Sequence, residues 1–324
     1  MINASLLKNL IREPNWADSA GKACLSVDLS EANYSSEEVQ SISQWLRRQP
    51  VPVIGLLNND KRMLDAVDLI AETDSEVERL ASFIDQHPQA SAVLVQVTRV
   101  TMSLPVIAAL TVESLGYATL QGGEEFSRWL SGQNKTKVGD SDISAPVLMK
   151  RTGSELSILL NSPSNRNALS VSMRDGLSEA FSLVAMDDSI ERVVVSGAGS
   201  CFSAGGDLTE FGVSKDVAEA HRIRQLKMPA QYLAEHAGRY SFNLHGACIG
   251  AGIELPAFSG HISASRDAFF RLPEVAMGLI PGAGGCVSIP RRIGRHRTNY
   301  LAVTGVELSA EKALSWGLID ELVD

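Results

Sequence analysis

The sequence lacks the cysteine spacing that marks metal-bound and disulfide-stabilised proteins. Its four cysteines, Cys24, Cys201, Cys248 and Cys286, lie far apart along 324 residues. A zinc site or a small disulfide scaffold needs them in closely spaced pairs. We therefore interpret them as reduced thiols of an intracellular protein and predict no metal site.

Long uninterrupted hydrophobic runs are also absent. The most apolar stretch, residues 104–120, contains Glu113 and is interrupted by Gly116, so it is a poor candidate for a membrane span. Residues 1–19 lack the apolar core and small-residue cleavage site of a signal peptide. These absences predict a cytoplasmic protein that does not associate with membranes.

Excess positive charge is missing as well. The formal net charge is −9, whereas affinity for nucleic acid depends on clustered Lys and Arg side chains. We therefore predict no nucleic-acid partner. Neither a nucleotide-type phosphate-binding loop nor a convincing Ser-His-Asp spacing is found.

The chain divides into two regions by its pattern. Its length exceeds what one hydrophobic core usually organises. Residues 1–140 begin with α/β character and continue as helices between Asp74 and Leu130; the polar, aperiodic segment 131–144 predicts the boundary. Residues 141–324 alternate strands, turns and helices, which predicts an α/β sheet.

Local patterns predict individual elements. Ser35 and Glu38 form a capping-box signature for a helix, and Asn58-Asn59-Asp60 predicts a turn. Met173, Leu177 and Phe181 predict one face of a later helix. Short apolar runs predict strands at residues 23–29, 51–57, 67–71, 147–151, 156–160 and 193–196.

Three segments of the second region resemble the crotonase (enoyl-CoA hydratase/isomerase) superfamily, and the resemblance covers nearly all of residues 147–324. They are the loop-to-helix segment 161–170, the segment 193–212 with its turn Ala204-Gly205-Gly206-Asp207, and the glycine-rich segment 245–285. The resemblance implies an α/β fold of the crotonase-like kind, a spiral of short strand–strand–helix units whose sheets meet nearly at right angles.

That resemblance implies a site for an acyl-CoA thioester. Enolate chemistry puts negative charge on the thioester oxygen, which fixed backbone N–H groups can hold. By the resemblance these are the N–H groups of Gly206 and Ala251; the family often has glycine where Ala251 stands. The alternative is a glycine-rich turn that serves only tight packing.

Glu254 and Glu274 stand where the family's hydratases carry their catalytic glutamates. One would activate a water and the other would protonate the α-carbon; we assign the first role to Glu254 and the second to Glu274. The alternative is two ordinary charges, each near a helix start where negative side chains are favoured.

The resemblance also brings Arg166, Ala168, Ala204 and Asp207 towards CoA. Arg166 would meet a phosphate or remain a surface arginine, and Asp207 would cap the helix that follows. His245 is interpreted as a packed or capping residue. No cofactor is implied beyond the CoA of the substrate.

Several functions remain open within this family. Two glutamates favour enoyl-CoA hydratase, a hydro-lyase, over enoyl-CoA isomerase or a specialised enzyme such as an arylacetyl-CoA dioxygenase. A non-enzymatic alternative is an inactive crotonase fold that serves as a scaffold or binds RNA. The resemblance implies a homo-oligomer, a trimer or hexamer.

The N-terminal helices carry a separate hypothesis. Family members usually continue past a segment like 316–320 into helices that cover the acyl pocket. Residues 74–130 resemble those helices, and we expect them to supply this layer within the chain or to a neighbouring subunit. The alternative is an unrelated regulatory or oligomerisation domain.

Overall fold

A computed structural model describes residues 1–3, 7, 21–29, 34–56, 62–133, 145–214 and 216–324. A small parallel sheet comes first, in the order β1 (Leu25–Asp28), β2 (Val53–Leu56) and β3 (Leu69–Ala71). Helix α1 (Ser36–Arg47) joins β1 to β2. The Ser35 hydroxyl accepts the Glu38 N–H, and the Glu38 carboxylate accepts the Ser35 N–H, so the predicted capping box is confirmed. The turn predicted at 58–60 lies outside the described residues.

The predicted helical stretch forms four helices. They are α2 (Asp74–Gln86), α3 (Pro88–Thr101), α4 (Val106–Gln121) and α5 (Glu124–Ser131). Pro88 starts α3 because its missing N–H costs nothing there. The next two N–H groups, of Gln89 and Ala90, donate to the carboxylate of Glu125 at 2.7 and 3.0 Å. Most of the predicted boundary, residues 134–144, lies outside the described residues.

The described residues of the second region form nine strands. They are β4 (Val147–Thr152), β5 (Glu155–Leu160), β6 (Arg192–Gly197), β7 (Tyr240–Leu244), β8 (Ala247–Ile249), β9 (His261–Ser265), β10 (Phe269–Arg271), β11 (Leu308–Ser309) and β12 (Glu321–Val323). One sheet runs β12-β9-β7-β6-β5-β4 and a smaller one β11-β10-β8. The β4–β5 pair is antiparallel and the other pairs of the large sheet are parallel, as βα connections require.

Seven helices accompany these strands in the described part of the second region. They are α6 (Val171–Met186), α7 (Val217–Lys227), α8 (Ala230–Glu235), α9 (Ala251–Glu254), α10 (Gly285–Ile293), α11 (Arg295–Thr304) and α12 (Ala310–Trp316). The predicted face of α6 is buried. Two 3₁₀ turns, Leu208–Glu210 and Glu274–Met277, adjoin the site described below.

Helices α3 and α4 lie against α10 and share its buried apolar cluster. The Thr101 hydroxyl donates to the Cys286 carbonyl at 2.8 Å, and Arg291 donates to the carbonyls of Thr101 and Leu104, both at 3.0 Å. These polar contacts fix how the N-terminal helices lie on the second region. Among the described residues, no helix is long and apolar enough to cross a membrane.

Candidate active site

A cavity of about 500 Å³ opens between the two regions. Its lining includes Gly206, Ala251, Glu254 and Glu274, which are up to 68 residues apart along the chain. The structure therefore brings the four predicted catalytic and oxyanion residues to one cavity. A volume of this size suits a small-molecule ligand.

Two backbone segments run side by side at the floor of the cavity. The Ser203 N–H donates to the Ala247 carbonyl at 3.2 Å, and the Ile249 N–H donates to the Ser203 carbonyl at 3.1 Å. Glycine is needed at Gly252 because a Cβ there would lie 2.6 Å from the Ser203 oxygen. This close approach holds the turn with Gly206 beside the start of α9.

The N–H groups of Gly206 and Ala251 are available to a ligand. Ala251 is the first residue of α9, so its N–H has no partner within the helix. Within the described ranges neither N–H has a protein acceptor. Both residues line the cavity, so an oxygen bound there would complete the hydrogen bonding of both donors.

Glu254 ends α9 and is 2% exposed. Its Oε2 accepts the N–H groups of Ala283 and Gly285 at 2.7 and 2.9 Å. Burial raises the pKa of this carboxyl to about 7, although the two N–H donors oppose the shift. The group thus changes its charge near neutral pH.

Glu274 begins the 3₁₀ turn after Pro273. Among the described residues, its buried Oε2 has no hydrogen-bond partner. Burial raises the pKa of Glu274 well above the usual value, and the charge of Glu254 adds to this. Both effects favour the protonated form of Glu274.

Gly250 marks the point where the two carboxyls meet. A Cβ on this residue would lie 2.5 Å from Glu274 Oε1 and 3.7 Å from Glu254 Oε1. Its φ of 50° is also in the left-handed region that favours glycine. Both carboxyls thus approach the same small volume beside the start of α9.

A third buried carboxylate was missed by the sequence analysis. Glu113 of α4 accepts the N–H groups of Gly284 and Cys286, both at 2.8 Å. Consecutive N–H groups along the chain at the start of α10 are thus bound in turn by Glu254 and Glu113. The sequence did contain one signal for it, a single acid within the apolar run 104–120. A carboxylate buried in such a run must have fixed hydrogen-bond donors.

Arg224 and Tyr117 form part of the cavity wall and were also missed. The Arg224 guanidinium lies 4.2 Å from the centre of the Tyr117 ring. A Cβ on Gly282 would lie 2.3 Å from the same ring, so Tyr117 packs directly on the segment that leads into α10. The sequence offered no periodicity or motif linking these distant residues.

The residues predicted to approach CoA divide into two groups. Asp207 lines the cavity, and its carboxylate accepts the Thr209 N–H at 3.0 Å, so the predicted cap is confirmed. Arg166, Ala168 and Ala204 are not among the described lining residues. The Arg166 carbonyl instead accepts the Ala204 N–H at 2.9 Å, which joins the loop 163–168 to the turn that contains Gly206.

The loop 163–168 is held by Asn167, which the sequence analysis did not single out. Its side-chain amide donates to the carbonyls of Ala198, Cys201 and Phe202 at 2.8–3.1 Å. His245, by contrast, was interpreted as a packed or capping residue, and its ring contacts the Gly199 carbonyl at 3.0 Å. His245 is half-buried and is not among the described residues that line the cavity.

Comparisons with known proteins converge on one family. Residues 151–324 match the family profile described as enoyl-CoA hydratase/isomerase. The 2,3-dehydroadipyl-CoA hydratase of Escherichia coli (strain K12) is 30% identical over 54% of this chain and 68% of its own length. The mitochondrial Delta(3,5)-Delta(2,4)-dienoyl-CoA isomerase of Rattus norvegicus is 31% identical over 52% of this chain and 55% of its own length.

Solved structures agree with these matches. The enoyl-CoA hydratase from Thermoplasma volcanium GSS1 is similar with a TM-score of 0.51 and 36% identity, covering 56% of this chain and 73% of that one. Pseudomonas aeruginosa DspI is similar with a TM-score of 0.52 and 28% identity, covering 58% of this chain and 72% of that one. The predicted family resemblance and α/β fold class are confirmed.

Proposed function

The chain belongs to the enoyl-CoA hydratase/isomerase (crotonase) family, and on this premise we propose that it hydrates a 2-enoyl-CoA thioester between Glu254 and Glu274. The observation that carries this proposal is the shared position of the two buried carboxyls on either side of Gly250. Both also line the cavity that contains the free N–H groups of Gly206 and Ala251.

The two N–H groups would hold the thioester oxygen. Attack of water on the β-carbon moves charge onto that oxygen, and fixed donors stabilise this charge without reorganisation. The Ala251 N–H also lies at a helix start, although α9 is only four residues long. Most of the stabilisation is therefore assigned to the two hydrogen bonds and not to the helix dipole.

The surroundings of the carboxyls support opposite roles. Two N–H donors favour the ionised form of Glu254, so it is suited to accept the proton of the attacking water. Glu274 has an oxygen without a partner in the described part of the chain and a strongly raised pKa, so it is suited to deliver a proton to the α-carbon. Two carboxyls with such different hydrogen-bond surroundings are typical of acid–base pairs.

The structural role of Glu254 does not conflict with catalysis. Its Oε2 binds the start of α10, whereas its Oε1 lies on the side of Gly250 and Glu274. One oxygen can therefore fix the orientation while the other takes the proton. Water is the only co-reactant, so the step needs no group beyond the CoA of the substrate.

Double-bond isomerisation is a second candidate, because a relative 31% identical is named as a dienoyl-CoA isomerase. In that reaction a single carboxyl would remove a proton from one carbon and return it to another. Glu274, whose Oε2 has no partner among the described residues, would have the freedom to serve both positions.

The first test follows the absorbance of the conjugated thioester when crotonyl-CoA and 2-hexenoyl-CoA are mixed with the enzyme. We expect a rapid loss of absorbance in the wild type. Glu254→Gln and Glu274→Gln should each lower kcat by at least about a hundredfold, since each removes a proton-transfer group. Glu307→Gln, a change at an exposed glutamate, should leave the rate unchanged.

A 3-enoyl-CoA substrate separates the two candidates. A gain of conjugated absorbance with 3-hexenoyl-CoA, without loss of absorbance from 2-hexenoyl-CoA, would replace hydration with isomerisation. Hydration that survives in both glutamine variants would contradict the assignment of the acid–base pair to Glu254 and Glu274.

A further inference from the structure

Arg224 of α7 lines the same cavity as the two glutamates. Its guanidinium is stacked on the Tyr117 ring, and it donates to the Gln121 side-chain oxygen at 3.0 Å and to the Ser114 hydroxyl at 3.3 Å. All three partners belong to α4. The cation is thus held in a fixed position at the wall by neutral groups.

The charge of Arg224 is not matched by a carboxylate. Within the described ranges no acid lies at ion-pair distance from it, whereas Arg99 and Arg295, also well buried, both pair with Asp68. Glu113 is close enough to affect the pKa of Arg224, but both its oxygens already bind N–H groups of α10. A half-buried cation with only neutral partners has capacity for an anion.

Tyr117 separates Arg224 from the reacting centre. The ring packs on Gly282, and the next residue, Ala283, donates its N–H to Glu254. An acyl chain whose first carbons lie between the glutamates would therefore reach Arg224 after passing this ring. Ile223 and Met228 also line the cavity, so the intervening wall is largely apolar.

From this arrangement we propose that Arg224 binds a carboxylate at the far end of the acyl chain, so that the site prefers ω-carboxyacyl-CoA thioesters. The planar guanidinium can offer two parallel N–H donors to a carboxylate. A methyl-terminated chain would instead cover the cation with apolar surface and leave it unpaired, which is unfavourable. This inference rests on the proposed acyl-CoA function and adds the class of acyl group.

Four carboxyl groups of the described residues line the cavity, those of Asp207, Glu210, Glu254 and Glu274, and none of them lies at ion-pair distance from Arg224. Burial raises the pKa of Glu210, Glu254 and Glu274, which disfavours the charged form of each group. Tyr117 contacts both the Arg224 guanidinium and Gly282. The terminal carboxylate would therefore experience the cation at short range and the acids at longer range.

The test compares saturated thioesters matched in chain length: succinyl-CoA with butyryl-CoA, adipoyl-CoA with hexanoyl-CoA, and suberoyl-CoA with octanoyl-CoA. Calorimetric titration should show that the wild type binds at least one dicarboxylic member about tenfold or more tightly than its partner, as a charge-assisted contact predicts. Arg224→Met should reduce this ratio to about twofold or less, and Arg224→Lys should retain part of it.

Arg222→Met is the matched control, because Arg222 is an exposed arginine of the same helix that pairs with Glu219. It should keep the wild-type ratio. Equal or tighter binding of the methyl-terminated thioesters by the wild type would overturn the inference, whether or not the Arg224 variants fold. A ratio that persists in Arg224→Met would overturn it too.

This readout is independent of turnover, since saturated thioesters cannot be hydrated. If neither crotonyl-CoA nor the 2-enoyl form of adipoyl-CoA is hydrated while the binding ratio persists, the proposed hydratase function fails and the inference stands. If hydration occurs but the binding ratio is absent, the proposed hydratase function stands and the inference fails.

Discussion

Glu254 uses its two carboxylate oxygens for different purposes. Oε2 is fixed by the N–H groups of Ala283 and Gly285, and Oε1 is turned towards Gly250 and Glu274. A side chain fixed at one oxygen loses little entropy when the other oxygen binds a water. Burial, against the effect of these two donors, raises the pKa of Glu254 to about 7 and makes its charge state sensitive to pH in the neutral range.

The pKa of Glu254 gives a direct prediction for activity. Because burial moves this pKa from 4.5 up to about 7, the ionised base is lost as pH falls through the neutral range. We expect kcat/KM for 2-enoyl-CoA to fall about tenfold for each pH unit on the acid side of 7. Steady-state rates across the acid and neutral range measure this limb.

A rate that stayed constant down to pH 4.5 would contradict this role for Glu254. The control is substrate saturation: an acid limb in kcat as well as in kcat/KM would show that the group titrates in the complex and not only in the free enzyme. Glu274 affects the opposite limb of the pH profile. Because a proton donor must stay protonated, loss of its proton lowers the activity at high pH.

At single positions, the sequence predicted the residues that belong to a recognisable motif. It missed the residues that only the folding of distant segments brings to the site. Gly206, Ala251, Glu254 and Glu274 reach one cavity as the resemblance implied. Arg224 has no such motif. Arg224 was missed because its position is set by contact with Tyr117, more than a hundred residues earlier. This contact follows from packing between α4 and α7 and not from a local sequence pattern.

Helix α10 is the element on which the site depends most. Its first N–H groups are bound alternately by Glu254 and Glu113, so one carboxylate comes from α9 and the other from α4. Helix starts leave N–H groups without intrahelical partners, and carboxylates satisfy them well. Glu113 therefore ties the N-terminal helices to the helix start that orients Glu254.

Removing the Glu113 carboxylate should destabilise the protein. Glu113→Ala leaves the buried N–H groups of Gly284 and Cys286 without partners, at a cost of about 3 kcal/mol in the free energy of unfolding. Glu113→Gln keeps one accepting oxygen and should cost about half as much. Urea unfolding followed by circular dichroism measures both.

Glu78→Ala, at an exposed position of α2, provides the comparison and should change the free energy of unfolding by less than about 0.5 kcal/mol. If Glu113→Ala changed it as little, Glu113 would not hold α10. The activity of Glu113→Gln at saturating substrate should also fall, because Glu254 would be less firmly oriented.

Hydrophobic periodicity predicted most elements but overestimated the strands of the first sheet. A strand was predicted at residues 51–57, whereas β2 begins only at Val53 and covers Val53–Leu56, and residue 57 lies outside the described residues. The reason is pairing: β2 is hydrogen-bonded to the four residues of β1, and a strand extends only as far as its partner. Helices need no partner strand, so the apolar face of α6 was predicted more closely.

The two regions of the chain are joined by buried polar contacts as well as by apolar packing. Asp68, fully buried just before β3, is paired with Arg99 of α3 and Arg295 of α11. We propose that residues 1–140 form a unit that supplies helical cover to the catalytic region 141–324, with Tyr117 and Glu113 as its contributions to the site. Sequence periodicity could suggest these helices but not the surface they cover.

A cut between the regions tests this arrangement. With a protease site introduced within residues 134–144, we expect the two fragments to stay together on size-exclusion chromatography and to retain enoyl-CoA hydration. The reason is that the contacts of Asp68, Thr101 and Glu113 do not depend on chain continuity. The wild type treated with the same protease is the control.

Separate elution of the fragments would show that the contacts between the regions are too weak to hold without the covalent link. A stronger contradiction would come from a chain that begins at residue 145 and hydrates substrate as fast as the full protein. Without α4 the cavity would lose the Tyr117 wall, and the N–H groups of Gly284 and Cys286 would lose Glu113. Full activity in that chain would therefore remove the N-terminal region from the catalytic unit.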